Sequence, residues 1–225
     1  MIFKILNWVI FLLLRIKNKF FIDYTWKDKY EKIEDCKLVG IESNKGAIEY
    51  YKKVTKKFYG PNDVEVVGRH KILPTLISNL EKNTLNILDF GGSSNPAISY
   101  LIKTCKHNFL STVIETKFFV EKFQNKIPAE YKDILQYKDS FKDLNFDLYD
   151  ICYFGSSIQY IENYEEILVR VFQSKIKYIV ITETFFNYTD QDFFVLAIKD
   201  NPQYLANRFF SYDKFMKSLK QIYSD

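Results

Sequence analysis

A short apolar run, Asn86-Ile87-Leu88-Asp89-Phe90, ends in a glycine pair and then in small polar residues, Gly91-Gly92-Ser93-Ser94-Asn95-Pro96. The run reads as a buried strand and the glycines as the turn that follows it. A helical pattern opens directly afterwards, over residues 96–103. Strand, tight turn and helix N-terminus in this order make a surface for a nucleotide-like ligand, because unpaired backbone N–H groups converge there. Gly91 and Gly92 lack a Cβ, so the backbone can approach a ligand closely at both.

Two cofactor templates compete for this loop. The dinucleotide pattern G-x-G-x-x-G requires glycine where this chain has Ser93 and Pro96. The S-adenosylmethionine (SAM) pattern, acidic-x-Gly-x-Gly-x-Gly, is met by Asp89 and Gly91, with Ser93 and Asn95 in place of the later glycines. Asn95 reads as the substitute, since Asn tolerates the left-handed region best among non-glycine residues. A glycine turn that binds nothing is the plain alternative. The second strand, residues 109–114, ends in Glu115, which lies 24 residues beyond Gly91. That is close to the ~20-residue offset at which an acid meets ribose hydroxyls. A carboxylate accepts hydrogen bonds from both hydroxyls of a ribose, whereas the plain reading is a solvated strand-end Glu. Turn and acid together favour an adenosine-type ligand.

Composition narrows the class. With 225 residues, 47% of them apolar and 18% aromatic, the chain can bury a sizeable single core and is not of the disordered type. Its net charge of +4 comes from interleaved acids and bases, so nothing points to nucleic acid. Cys36, Cys105 and Cys152 are widely spaced, no C-x-x-C occurs and there are only two histidines, so no metal site is expected. Reduced thiols and a cytoplasmic setting are the simplest account.

Residues 1–21 differ from the rest. Residues 5–14 are almost continuously apolar, and Arg15, Lys17 and Lys19 follow. The run is short for a membrane span, which takes ~20 residues, and the basic cluster stands where a signal peptide would carry its cleavage site. An interfacial helix on the cytoplasmic membrane face is expected, with Phe3, Trp8 and Phe11 toward the acyl boundary; the alternative is a helix docked on protein.

The remaining chain divides into a helical N-terminal extension, residues 22–80, and an α/β domain, residues 81–225. In the extension, residues 45–58 look helical, 59–63 form a break, and 64–80 hold a helix with Pro74 near its start or at a kink. In the domain, strands at 85–89, 109–114, 134–137, 148–154 and 178–182 alternate with helices at 96–103, 117–125 and 161–173. Such alternation predicts a parallel sheet covered on both faces, with ligands bound beyond the carboxyl ends of its strands. Asp89, Glu115, Gly155 and Thr182 belong to that edge.

Three further segments bear on family. They are Val113-Ile114-Glu115-Thr116-Lys117-Phe118-Phe119-Val120, Ser156-Ser157-Ile158-Gln159-Tyr160-Ile161-Glu162 and Ile179-Val180-Ile181-Thr182-Glu183-Thr184-Phe185-Phe186. Together with Leu88-Asp89-Phe90-Gly91-Gly92-Ser93, they resemble a bacterial family of class I SAM-dependent methyltransferases associated with surface polysaccharide gene clusters. The resemblance runs from about Trp26 to the C-terminus. It implies a Rossmann-like sheet, SAM as cofactor, and a sugar of a glycan precursor or a nucleotide sugar as methyl acceptor. Asp89, Gly91, Gly92 and Ser93 would then face the methionine end. Glu115 would hold the ribose, Asp139 would lie near the adenine amine, and Gly155, Ser156 and Ser157 would line the cofactor face. Gln159, Tyr160 and Phe185 would stand at the acceptor entrance.

Two departures from the resemblance matter. Relatives carry an Asp-Arg-Thr-Pro-Phe type motif after the fifth strand, where this chain has Thr182-Glu183-Thr184-Phe185-Phe186, so a negative charge replaces a positive one. The sheet also lacks its usual closing strands: residues 193–198 supply one, a helix follows at 212–220, and an open sheet edge is expected. A sugar hydroxyl acceptor calls for a base, and the candidates are Glu183 and His70, the latter beside Arg69. His107 belongs to the opposite edge and reads as structural. Two other functions remain open at this point, a degenerate non-catalytic scaffold and a nucleotide-sugar or dinucleotide enzyme.

Overall fold

The structure, a computed structural model, describes residues 26–32, 35, 68–199 and 203–223. The segment 1–21 and the helix expected at 45–58 lie outside these residues. Among the described residues no helix is long and apolar enough to cross a membrane, and no group of three or more His, Cys, Asp or Glu side chains could hold a metal ion.

Five strands form the parallel sheet: β2 (Thr84–Phe90), β3 (Asn108–Ile114), β4 (Leu135–Lys138), β5 (Ile151–Gly155) and β6 (Tyr178–Thr182). Their order is β4-β3-β2-β5-β6, all parallel. The chain builds outward from β2 to β4, then returns to lay β5 on the other side of β2. The strand order therefore reverses between β2 and β5, which is where such sheets open a crevice.

Alternation along β2 assigns each face its own core. Leu85 and Ile87 point to the side covered by α1 (Leu73–Ile77), α2 (Ala97–Thr104) and α3 (Lys117–Phe123). Leu88 and Phe90 point to the side covered by α4 (Tyr164–Phe172) and α5 (Tyr212–Tyr223). The helices thus flank both faces, as the alternation predicts. Pro74 lies in the first turn of α1, where its missing N–H leaves no bond unmade. At the amino edge, Asp150 accepts from Asn86 N (2.9 Å) and from Lys82 Nζ (2.7 Å), which clamps the start of β5 to β2. His107 sits on this edge and contacts Leu80 O at 3.1 Å.

A second sheet is not paired with the first by strand hydrogen bonds but packs against its outer core. It contains β1 (Trp26–Tyr30), β7 (Phe186–Asn187), β8 (Phe193–Lys199) and β9 (Gln203–Ser211), in the order β1-β8-β9-β7. This refines two expectations. The extension at 22–80, read as helical, contributes a strand, because the backbone of β1 is met by the antiparallel partner β8. The strand expected at 193–198 is followed by a second one, β9, that the sequence pattern hid. Its buried Asn207 and Ser211 break the apolar run by which a strand is usually read. Neither strand joins the parallel sheet, so among the described residues β6 has no strand on its outer side.

Candidate functional site

The carboxyl ends of β2, β3, β5 and β6 meet along one edge, and the loop after β2 occupies its centre. Gly91 has φ +76°, and a Cβ there would lie 2.5 Å from the Cβ of Ser157. At Gly92 a Cβ would lie 2.8 Å from Asp89 Oδ2. Both glycines mark places where the loop passes another segment with no room for a side chain. The second left-handed residue is Ser93, at φ 52°. Asn95, expected to take that role, does not adopt a positive φ. The turn closes through Asn95 N to Gly92 O (3.1 Å), so the reversal falls inside it, at Ser93. Tyr137 on β4 secures the loop by donating its hydroxyl to Ser93 O at 2.7 Å.

Asp89 is 1% exposed, and its Oδ2 accepts from Ala97 N, the first residue of α2, at 2.8 Å. Burial pushes this carboxyl up to about 6, against the opposing pull of the Ala97 N–H and of Arg69. Glu115 accepts from Ser93 N through Oε1 (2.9 Å) and from Thr116 N through Oε2 (3.1 Å). Burial raises it to about 7, with Asp89 adding to the rise and the two N–H donors and Arg69 opposing it. Each Glu115 oxygen keeps a second lone pair for a further donor.

Beyond β5 the chain turns sharply, with Ser156 at φ 57°. Ser157 is buried, and its Oγ has no hydrogen-bond partner within the described protein. Gln159 is 3% exposed and links this turn to the segment after β6. Its amide donates to Ser156 Oγ and Glu183 O, and its Oε1 accepts from Thr184 Oγ1, each at 3.5 Å. Tyr160 is 47% exposed. Glu183, at φ 52°, is exposed and rests over Gly68, where a Cβ would come within 2.9 Å of its Oε1. Phe185 stacks on Phe209 (5.0 Å between centroids), and its carbonyl accepts from Phe210 N. It therefore belongs to the packing of the second sheet, whose β9 also rests on the Ile158–Tyr160 turn.

The remaining residues expected at the site fall in two places. Asp139 is exposed and lines a cleft of about 400 Å³ with Lys117, Gln124 and Tyr137. Through Tyr137 this cleft adjoins the glycine loop. His70 is 1% exposed, with Nδ1 2.9 Å from the Tyr153 hydroxyl and Nε2 3.2 Å from Asn95 O. Burial, with Arg69 beside it, lowers its pKa to about 3, so the imidazole is neutral at physiological pH. Tyr153 also donates to Arg69 O (2.8 Å) and lies 3.3 Å from Thr182 Oγ1. Sequence reading missed Tyr153, because a tyrosine within an apolar strand reads as core. Its one sequence signal is its place in β5, two residues before the turn.

A nucleoside fits this set of residues. The Ser157 hydroxyl is buried and unpartnered, and the Glu115 carboxylate retains free lone pairs beside the tightly packed glycine turn.

No family model matches the chain, and no curated protein matches it by sequence. Solved structures do match in shape. The N-terminal domain of EvdMO1, solved in the presence of S-adenosylhomocysteine (SAH) and D-fucose, aligns with a TM-score of 0.50 at 9% identity, over 77% of this chain and 84% of that one. The 1,6-didemethyltoxoflavin-N1-methyltransferase of Burkholderia thailandensis, solved with 1,6-didemethyltoxoflavin and SAH, aligns with a TM-score of 0.48 at 11% identity, over 78% and 73%. A SAM-dependent methyltransferase from Mesorhizobium loti aligns with a TM-score of 0.47 at 12% identity, over 67% and 79%. The likeness is one of fold. With the strand order above, it makes this a Rossmann-like sheet of the class I methyltransferase type.

Proposed function

We propose that this chain is a SAM-dependent methyltransferase whose acceptor is a sugar of a surface-glycan precursor or a nucleotide sugar. The observation that carries the cofactor reading is Glu115. Its carboxylate stands at the end of β3, held by two backbone N–H groups, beside a glycine loop at the point where strand order reverses. That is the arrangement for gripping a ribose. The acceptor class rests on the sequence resemblance. That the EvdMO1 domain was solved in the presence of D-fucose accords with it.

Bound SAM supplies a methyl group already activated by its sulfonium, so the protein's task is positioning and proton removal. Gly91, Gly92 and Ser93 cradle the methionine end, shaped from below by Asp89. Glu115 takes the ribose, Asp139 stands toward the adenine amine, and Gly155, Ser156 and Ser157 line the cofactor face. Gln159 and Tyr160 border the acceptor, and Phe185 supports that wall from the second sheet. Glu183 is the better placed of the two bases, since it is exposed beside this wall. His70 is enclosed with both ring nitrogens in contact, which suits a linking role. Segment 1–21 would bring the enzyme to the cytoplasmic membrane face, where lipid-borne glycan precursors are found.

Calorimetry with SAH tests the reading. Micromolar binding by the wild type, weakened at least about tenfold in Glu115→Ala and in Asp89→Ala, is the expected result. A well-folded wild type that binds no SAH would leave a non-catalytic scaffold on the same fold. Preferential binding of NAD would point to the dinucleotide class.

A further inference from the structure

The turn Gly68–His70 precedes the sheet in sequence, yet its middle residue reaches across the crevice. Arg69 Nη2 donates to Asn95 O at 2.9 Å, and Nη1 donates to Gly155 O at 3.3 Å. Asn95 belongs to the loop after β2, and Gly155 ends β5. β2 and β5 are the neighbouring strands between which the order reverses. The guanidinium therefore spans the two segments that flank the crevice. The turn itself is pinned by Tyr153, whose hydroxyl donates to Arg69 O and lies 2.9 Å from His70 Nδ1. A third bond runs from Arg69 Nε to His70 Nε2 at 3.4 Å, and all three acceptors are neutral, so these bonds leave its charge uncancelled and felt by nearby carboxylates.

We propose that Arg69 is a positioning residue of this site, a cross-brace that ties the loop after β2 to the end of β5 and holds a positive charge at the crevice. The choice of nucleoside probes rests on the SAM reading above, but the brace does not.

Glu115 must be ionised to accept from both ribose hydroxyls. The titratable and charged groups facing it are Asp89 at the end of β2, Tyr137 from β4 and Arg69 from the turn. Lys117, which opens α3, is exposed. Burial keeps Tyr137 protonated, so Asp89 and Arg69 are the two charged groups that add to the larger effects of burial and of the Thr116 and Ser93 N–H groups. Asp89 raises the Glu115 titration and Arg69 lowers it. Removing the guanidinium moves that titration to higher pH and frees the crevice to widen.

The test uses Arg69→Met and Arg69→Lys in the full chain, with Arg69→Gln in reserve should the Met variant fail to fold. Carbon-13 NMR follows the Glu115 carboxyl in the free protein, and near-ultraviolet circular dichroism checks the fold. Calorimetry measures SAH and 5′-methylthioadenosine, which lacks the amino-acid carboxylate, between about pH 6 and about pH 9. In Arg69→Met the Glu115 midpoint is expected to rise, and both nucleosides to bind about tenfold more weakly near neutral pH. In Arg69→Lys the midpoint should stay near the wild-type value while both affinities fall, because an ammonium cannot span two carbonyls as a planar fork does. An unchanged Glu115 midpoint in a folded Arg69→Met overturns the proposal. So does a loss confined to SAH, which would make Arg69 a direct partner of the ligand's carboxylate. If the wild type binds neither nucleoside, the SAM reading fails, and the Glu115 midpoint still tests whether Arg69 holds its charge at the crevice.

Discussion

Gly91 is the residue with least freedom to change. Its φ of +76° already costs an L side chain about 1–2 kcal/mol, and a Cβ would overlap that of Ser157 at 2.5 Å. Gly91→Ala is expected to lower stability by about 2–4 kcal/mol in chemical denaturation. Adding Ser157→Gly removes the overlapping carbon, so the double variant should recover the steric part and keep the conformational part. Strict additivity of the two changes would show that the segments do not press on each other there. At Ser93 a non-glycine residue occupies the left-handed region, and the Tyr137 hydroxyl on its carbonyl helps to hold it. A glycine pattern read along the sequence cannot show such support, because Tyr137 lies 44 residues away.

At the scale of elements, connections between strands are tied down by single side chains from elsewhere in the fold. Arg170 on α4 donates to Phe141 O (3.0 Å), Lys142 O (3.1 Å) and Leu144 O (3.1 Å), and its guanidinium lies 4.4 Å from the ring centre of Phe146. The loop between β4 and β5, which carries Asp139, thus hangs on one residue of the helix that follows β5. Arg170→Met leaves three carbonyls without this donor and should cost about 1–3 kcal/mol. Limited proteolysis should then cut within residues 139–145 faster than in the wild type. Unchanged cleavage there would mean that the loop is held by its own packing. The strands and helices that the alternation predicts are present, with ends displaced by up to about three residues. Helix α4 shows why: residues 161–163, where the pattern places its start, form a turn, so the helix itself begins only at Tyr164. The apolar pattern runs through both.

For the whole molecule, the buried ionisable groups at the carboxyl edge of the sheet make stability depend on pH. Glu115 is raised from 4.5 to about 7 in the folded state, so the fold keeps a proton that the unfolded chain releases. Its contribution is complete below pH 4.5 and is lost as the pH rises through about 7. Asp89 acts with the same sign between 3.8 and about 6. His70 has the opposite sign: its stabilising contribution is lost as the pH falls from 6.5 toward about 3. Glu115→Gln isolates the first of these. Relative to this variant, the wild type should lose up to about 3 kcal/mol of stability across its window, read as a difference of denaturation midpoints. Parallel curves for the two proteins would place Glu115 in a more solvated setting than the fold indicates.

By itself, the sequence determined the α/β alternation, the glycine turn after the first strand of the parallel sheet, and the acid at the end of the second. These are local matters: strand and helix periods, the steric freedom of glycine and a fixed offset along the chain declare them without tertiary contacts. Only the tertiary structure decided that Ser93 and not Asn95 takes the left-handed turn. It also enclosed His70 between Tyr153 and Asn95, laid Arg69 across the crevice, and sent β8 and β9 into a second sheet with β1. Each of these depends on groups far apart in the chain, meeting at distances set by how the strands are ordered, and strand order leaves no periodicity in the sequence to be read.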